Sequence, residues 1–125
     1  MAALPMKCRR YLNDRSIAFV EVEEGGQQAV VLRGVALPEG RFDAANADIL
    51  ILLPAGYPDV APDMFYSTPW LRLVSGNYPN AADQPFPFNG GNWQRWSRHN
   101  NEWRAGVDGI WTMVKRVENA LAVAA

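Results

Sequence analysis

Apolar and polar positions alternate early in the chain. In "IAFVEVEE", residues 17–24, apolar and acidic side chains take turns, the period of two expected of a half-buried strand. Gly25-Gly26 makes a turn, and "QAVVLRGVAL", residues 28–37, reads as the partner strand of a hairpin. A second turn in "LPEGRFD" leads to "ADILILLP", residues 47–54, with Ile49, Ile51 and Leu53 on one face and Leu50 and Leu52 on the other. A strand apolar on both faces belongs at the centre of a sheet covered on each side. "AGYPDVAPD" is a rigid loop and "MFYS" a short fourth strand. From Thr68 to Arg104 the pattern lapses: Pro69, Pro79, Pro85 and Pro87, with Gly76, Gly90 and Gly91, predict irregular chain. Helical period returns in "VDGIWTMVKRVENALAVAA", where Ile110, Val114, Val117 and Leu121 form one stripe with Trp111 beside it. Asp108 stands at the start, where a negative charge suits a helix N-terminus. The N-terminal piece, "MKCRRYLNDR", reads as a short helix.

Strands in hairpin order with helices at the ends predict an α+β fold, an antiparallel sheet of about four strands with helices packed on one face. At 125 residues the expectation is a single domain over 1–125 with its own hydrophobic core. The formal net charge of −1 removes the strongly basic footprint of a nucleic-acid binder. No apolar run is long enough to span a membrane, and the N-terminal charges follow the apolar residues, the wrong order for a secretory signal. One cysteine, Cys8, allows no internal disulfide, so a reducing cytoplasmic location is expected. One histidine, a distant cysteine and scattered carboxylates do not make metal-ligand spacing, and no metal or cofactor is expected.

A long irregular interval in a small domain is usually functional. The unusual part of it is "NWQRWSRHNNEWR", residues 92–104, which sets Trp93, Trp96 and Trp103 among Arg95, Arg98 and Arg104 and holds the only histidine, His99. Tryptophans in such a stretch chiefly pack, and a buried indole N–H finds an acceptor. Trp93 and Trp96 would share a face if the stretch were helical, and Trp103 is expected under the C-terminal helix. The same basic–aromatic mixture suits stacking of single-stranded nucleic acid, a rival reading that the net charge disfavours.

"LRGVALPEGRFDAANADILILLP", followed by "GYPDVAPDMFY", resembles the ubiquitin-conjugating fold, in which a strand runs into a tyrosine–proline turn. "EWRAGVD" before a helix is similar to that fold's tryptophan turn. "NYPNAAD" resembles its His-Pro-Asn tripeptide, with Tyr78 in place of histidine. The phrases "GYPDVAPDMFY", "YPNAADQP", "WQRWSRHN" and "WRAGVDGI" resemble the prokaryotic ubiquitin-conjugating-like family E over roughly residues 12–122. The resemblance implies a ubiquitin-like modifier protein and a ubiquitin-activating-like enzyme as partners. It also implies genes for these, and for a metallopeptidase, nearby.

A ubiquitin-conjugating enzyme accepts its modifier on a cysteine between the tripeptide and the tryptophan turn. Here Asn80 to Trp103 contains none, and Cys8 lies in the wrong segment. By count, the cysteine's place falls around Arg95 to Ser97, where Ser97 is the only hydroxyl. A serine forms an oxyester only with a base in hydrogen-bond reach, and His99 is the side chain whose ordinary pKa suits that duty. Residues two apart share a face only in extended chain. Asp83 and Glu102 are both candidate orienting acids. By resemblance Asn80 would donate its amide to the oxyanion, and Lys7, Arg9 and Arg10 on the first helix would dock on the activating enzyme. The reading is therefore a carrier using Ser97, His99 and Asn80; the alternative is a non-catalytic adaptor that binds the modifier or the activating enzyme.

Overall fold

The computed structural model describes residues 4–99 and 102–125. Residues 1–3, at the head of the segment read for a secretory signal, and Asn100 and Asn101, inside the tryptophan-rich stretch, lie outside the described residues. The elements run α1 (Met6–Asp14), β1 (Phe19–Glu24), β2 (Gln27–Ala36), β3 (Asn46–Leu53), β4 (Phe65–Thr68), β5 (Gln84–Phe88), β6 (Gly91–Trp96) and α2 (Ile110–Ala122). The strands form one antiparallel sheet in the order β1-β2-β3-β4-β6-β5.

The expected α+β class, with helices packed on one face, holds. The strand count does not: the sheet has six strands where about four were expected. The extra two, β5 and β6, lie in the interval read as irregular. They pair Gln84 with Arg95 through Phe88 with Gly91 around a two-residue Asn89-Gly90 turn, with φ of 49° and 81°. Positive φ at both central residues is the hairpin turn whose twist matches its strands, and Asn-Gly is its preferred sequence. Pro85 and Pro87 do not break β5 because it is an edge strand, where a missing N–H need not cost a ladder bond. The β1–β2 turn uses the same device, with Gly25 and Gly26 at φ 57° and 85°.

β3 is central as predicted. Ile49, Ile51 and Leu53 belong to the main core, with Val30 and Leu32 of β2, Phe65 of β4 and Trp96 of β6. Onto this face α1 brings Cys8 and Leu12, and α2 brings Ile110, Met113, Val114, Val117 and Leu121, including the whole predicted stripe. The opposite face carries a smaller cluster of Ala29, Val31, Leu50, Tyr66 and Phe88. Three residues apart on a strand, Trp93 and Trp96 face opposite ways: Trp96 is fully buried in the main core while Trp93 packs on the smaller one.

Gly109 is the N-cap of α2, and Asp108 prepares it. The Asp108 carboxylate accepts the Arg104 N–H at 2.7 Å and the Thr112 hydroxyl at 2.9 Å. The Thr112 oxygen in turn accepts the Gly109 N–H at 3.3 Å. The Arg104 backbone hydrogen bond, with help from Thr112 and the Arg104 charge, holds the Asp108 carboxyl below its ordinary range against the opposing effect of burial.

Candidate functional site

β6 ends in a tight turn. The Arg98 N–H bonds to the Trp96 carbonyl at 2.9 Å, so Ser97 is the central residue of a γ-turn, a device common at strand ends. The Ser97 N–H donates to the Ala81 carbonyl at 3.0 Å, which ties the strand end to the Tyr78-Pro79-Asn80 turn. That turn is itself fixed from beneath by Gln94, a fully buried side chain. Its carbonyl accepts the Leu71 N–H at 2.7 Å and the Ser67 hydroxyl at 2.9 Å. Its amide donates to the Leu71 and Ala82 carbonyls at 3.0 and 2.7 Å. The Trp96 indole adds a bond to the Ser67 hydroxyl at 3.0 Å. A buried polar network is stabilising only when its members are satisfied, and each of these groups is.

Ser97 and His99 open onto one cleft of about 360 Å³, lined also by Phe65, Arg98, Arg116 and Asn119. Ser97 is half-buried and His99 exposed. Among the described residues no hydrogen bond joins the two side chains. The His99 Nδ1 sits 3.1 Å from both oxygens of Asp63, so the carboxylate on the ring is Asp63 and not Asp83, one of the two acids considered; Asp83 instead accepts from Gln84 at 3.4 Å. Asp63 ends the loop between β3 and β4, 36 residues from His99, and no local sequence signal links them. Arg116 of α2 closes the other side, donating to the Asp63 and Arg98 carbonyls, both at 3.3 Å. The Arg98 guanidinium lies over the Trp96 ring, 5.2 Å from its centre. Burial pushes both arginines below their ordinary range, with Asp63 opposing the shift at Arg116.

Asn80 is exposed, and its N–H donates to the Ala125 carbonyl at 2.9 Å; its side chain is outside the cleft lining. On α1, Lys7 and Arg10 are exposed, while Arg9 is half-buried and paired with Glu21 at 3.0 Å. The expected trio of docking cations therefore has two members free of that pair. Cys8 is buried, its sulfur 3.3 Å from the Tyr57 hydroxyl. Burial, reinforced by that hydrogen bond, holds the Tyr57 phenol well above its usual range. Trp103 donates its indole N–H to the Pro58 carbonyl at 2.8 Å and packs on Tyr57, so it fixes the tyrosine–proline loop as well as meeting the main core.

The basic–aromatic mixture is dispersed. Arg95 alternates with Trp96 on β6, Arg98 joins the cleft, and Arg104 pairs with Asp108 at 3.6 Å. With Trp96 fully buried, the described residues of the stretch present no common platform on which successive bases would stack.

The tryptophan turn is thus bonded to the tyrosine–proline loop, and the end of β6 to the residue after the Tyr-Pro-Asn turn. The family model for prokaryotic E2 family E matches residues 4–124. The chain belongs to that family. No curated protein and no solved structure gives a match. Membership points this family E protein to a ubiquitin-conjugating-like role and, in general terms, to a ubiquitin-like modifier and an activating enzyme as partners. The family E chain has no cysteine between Asn80 and Trp103, and Cys8 packs in the core far along the sequence. Among the described residues no group of three or more metal-ligating side chains occurs, and no helix is long and apolar enough to cross a membrane.

Proposed function

We propose that the protein, as one domain over residues 1–125, is a carrier that takes a ubiquitin-like modifier from its activating enzyme as an oxyester on Ser97. The observation that supports this reading is the juxtaposition at the end of β6: a serine whose backbone N–H is bonded to the residue after the Tyr-Pro-Asn turn, in the same cleft as a histidine whose Nδ1 is occupied by a carboxylate. With Nδ1–H donating to Asp63, Nε2 is the basic nitrogen. It would take the Ser97 proton as Oγ attacks the carbonyl of the modifier's thioester. The C–O bond forms, the C–S bond breaks, and the proton passes from His99 to the departing thiolate of the activating enzyme. Asn80 is the candidate amide donor to the oxyanion, which requires its exposed side chain to turn toward the cleft when the modifier arrives. Lys7 and Arg10 are the candidate docking cations for the activating enzyme, with Arg9 held by Glu21. A target amine then displaces the ester and releases the serine hydroxyl.

The adaptor reading, in which the protein only positions the modifier or the activating enzyme, draws support from the exposure of His99 and from the lack of a Ser97–His99 hydrogen bond among the described residues. Reconstitution with the activating enzyme, modifier and ATP separates the two. A carrier forms an adduct that survives thiol reductant, yields to mild alkali and disappears in Ser97→Ala. Binding without an adduct establishes the adaptor.

A further inference from the structure

The cleft beside Ser97 contains an imbalance of charge. Arg98 and Arg116 both line it, both are half-buried, and their hydrogen bonds go to the Ser97, Asp63 and Arg98 carbonyls and the Met113 sulfur. Neither forms an ion pair with a carboxylate among the described residues. The Asp63 carboxylate sits against His99 and acts on the Arg116 charge from beyond ion-pair distance, so Arg98 is the guanidinium left without an anion. A guanidinium withdrawn from water without an anion is costly, and a planar fork of donors is well suited to a carboxylate. The remaining wall is the end of α2, where Arg116, Asn119 and Ala120 on the helix and Val123 at its C-cap follow one another. From Arg116 to Val123 the rise is about 10 Å, the length of about three extended residues.

We infer that this cleft is a subsite for the C-terminal tail of the modifier, and that it selects a tail with an acidic side chain within a few residues of its end. The inference rests on the carrier reading for the identity of the occupant, because a tail esterified to Ser97 must pass through the cleft. Arg98 and Arg116 would receive the carboxylate, while Phe65, Ala120 and Val123 pack against small apolar side chains of the tail. The charge on the tail is thus opposite to the one an acidic cleft would select.

The test uses fluorescently labelled octapeptides that end in an amide, so that their only carboxylate is one glutamate at the second, third or fourth position from the end. Binding to the full chain is measured by anisotropy at low salt, against glutamine and lysine counterparts. A charge-assisted contact of this kind predicts that one register binds at least about tenfold more tightly than its glutamine counterpart. That preference should collapse in Arg116→Gln and in Arg98→Gln and be partly restored in Arg116→Lys, with an unchanged circular-dichroism spectrum confirming the fold of each variant. The peptides carry no activated ester, so their binding does not pass through the Ser97 hydroxyl chemistry, and loss of the ester chemistry and loss of the subsite register separately. Equal binding of all three peptides, a glutamate preference that survives both glutamine variants, or a preference independent of distance from the end would each overturn the assignment.

Discussion

Replacing Gln94 with leucine removes a buried amide of similar length and leaves its partners where they are. The Leu71 N–H, the Leu71 carbonyl and the Ala82 carbonyl all lose their hydrogen bonds to this side chain. The Ser67 hydroxyl can rotate, but it also loses an acceptor. Each orphaned buried backbone group costs about 1–3 kcal/mol, or roughly 3–9 kcal/mol for three. Leucine recovers about 1–2 kcal/mol through the burial of extra apolar surface. Allowing the Leu71 and Ala82 loops to relax toward water, Gln94→Leu should destabilise by about 4 kcal/mol, a large share of the roughly 5–15 kcal/mol of a typical domain. Urea unfolding followed by tryptophan fluorescence measures it directly, since Trp96 is fully buried next to the network. The damage should also reach the site: Ala82 follows Ala81, the acceptor of the Ser97 N–H, so amide exchange at Ser97 should accelerate more than at residues of β3. An unfolding free energy within about 1 kcal/mol of the parent, with unaltered exchange at Ser97, would show that Gln94 does not hold the turn.

Other consequences follow from the same geometry. His99→Ala and Asp63→Asn should each change stability by less than about 1 kcal/mol, because the pair is exposed, yet slow adduct formation by about a hundredfold or more if His99 is the base; unaltered single-turnover rates would remove His99 from the chemistry. The Asp108 carboxyl is depressed in the folded state, so its contribution is present above the ordinary carboxylate pKa of about 3.9 and is lost as pH falls through the lower folded value. Urea midpoints of the parent and Asp108→Asn should therefore converge as pH drops below about 4, and parallel profiles would contradict the assignment. Trp103→Phe keeps most of the ring packing but loses the bond to the Pro58 carbonyl, which predicts a loss of about 1–2 kcal/mol in urea unfolding; no loss would mean that the indole N–H is easily replaced by water.

What the sequence determined by itself was whatever depends on neighbours in the chain. The alternation of Ile49, Leu50, Ile51, Leu52 and Leu53 is a backbone periodicity, so β3 and its two faces were legible without a partner strand. The stripe from Ile110 to Leu121 was legible for the same reason, as was the Gly25-Gly26 turn. The family could be read from phrases whose order survives in the chain. The Asn89-Gly90 turn was also written locally, but Pro85 and Pro87 masked it: whether a proline breaks a strand depends on whether that strand is at an edge, which is a property of the sheet. The facing of Trp93 and Trp96 inverted once their stretch proved extended rather than helical, since a three-residue step is one and a half periods of a strand and nearly a full turn of a helix.

The site divides in the same way. Ser97 and His99 could be picked out as residue types beside a missing cysteine, because candidate nucleophiles and bases are intrinsic to side-chain chemistry. Their surroundings were decided only by tertiary structure. Asp63 reaches His99 from the loop that leads into β4, Arg116 arrives from α2, and Gln94 joins three segments beneath the Tyr-Pro-Asn turn. None of these contacts follows a spacing rule, because hydrogen bonds and charges act through distance in space, the first lost beyond about 3.5 Å and the second weakening with separation. Only the folding of β6 against β4, with α2 laid across them, brings those distances into range.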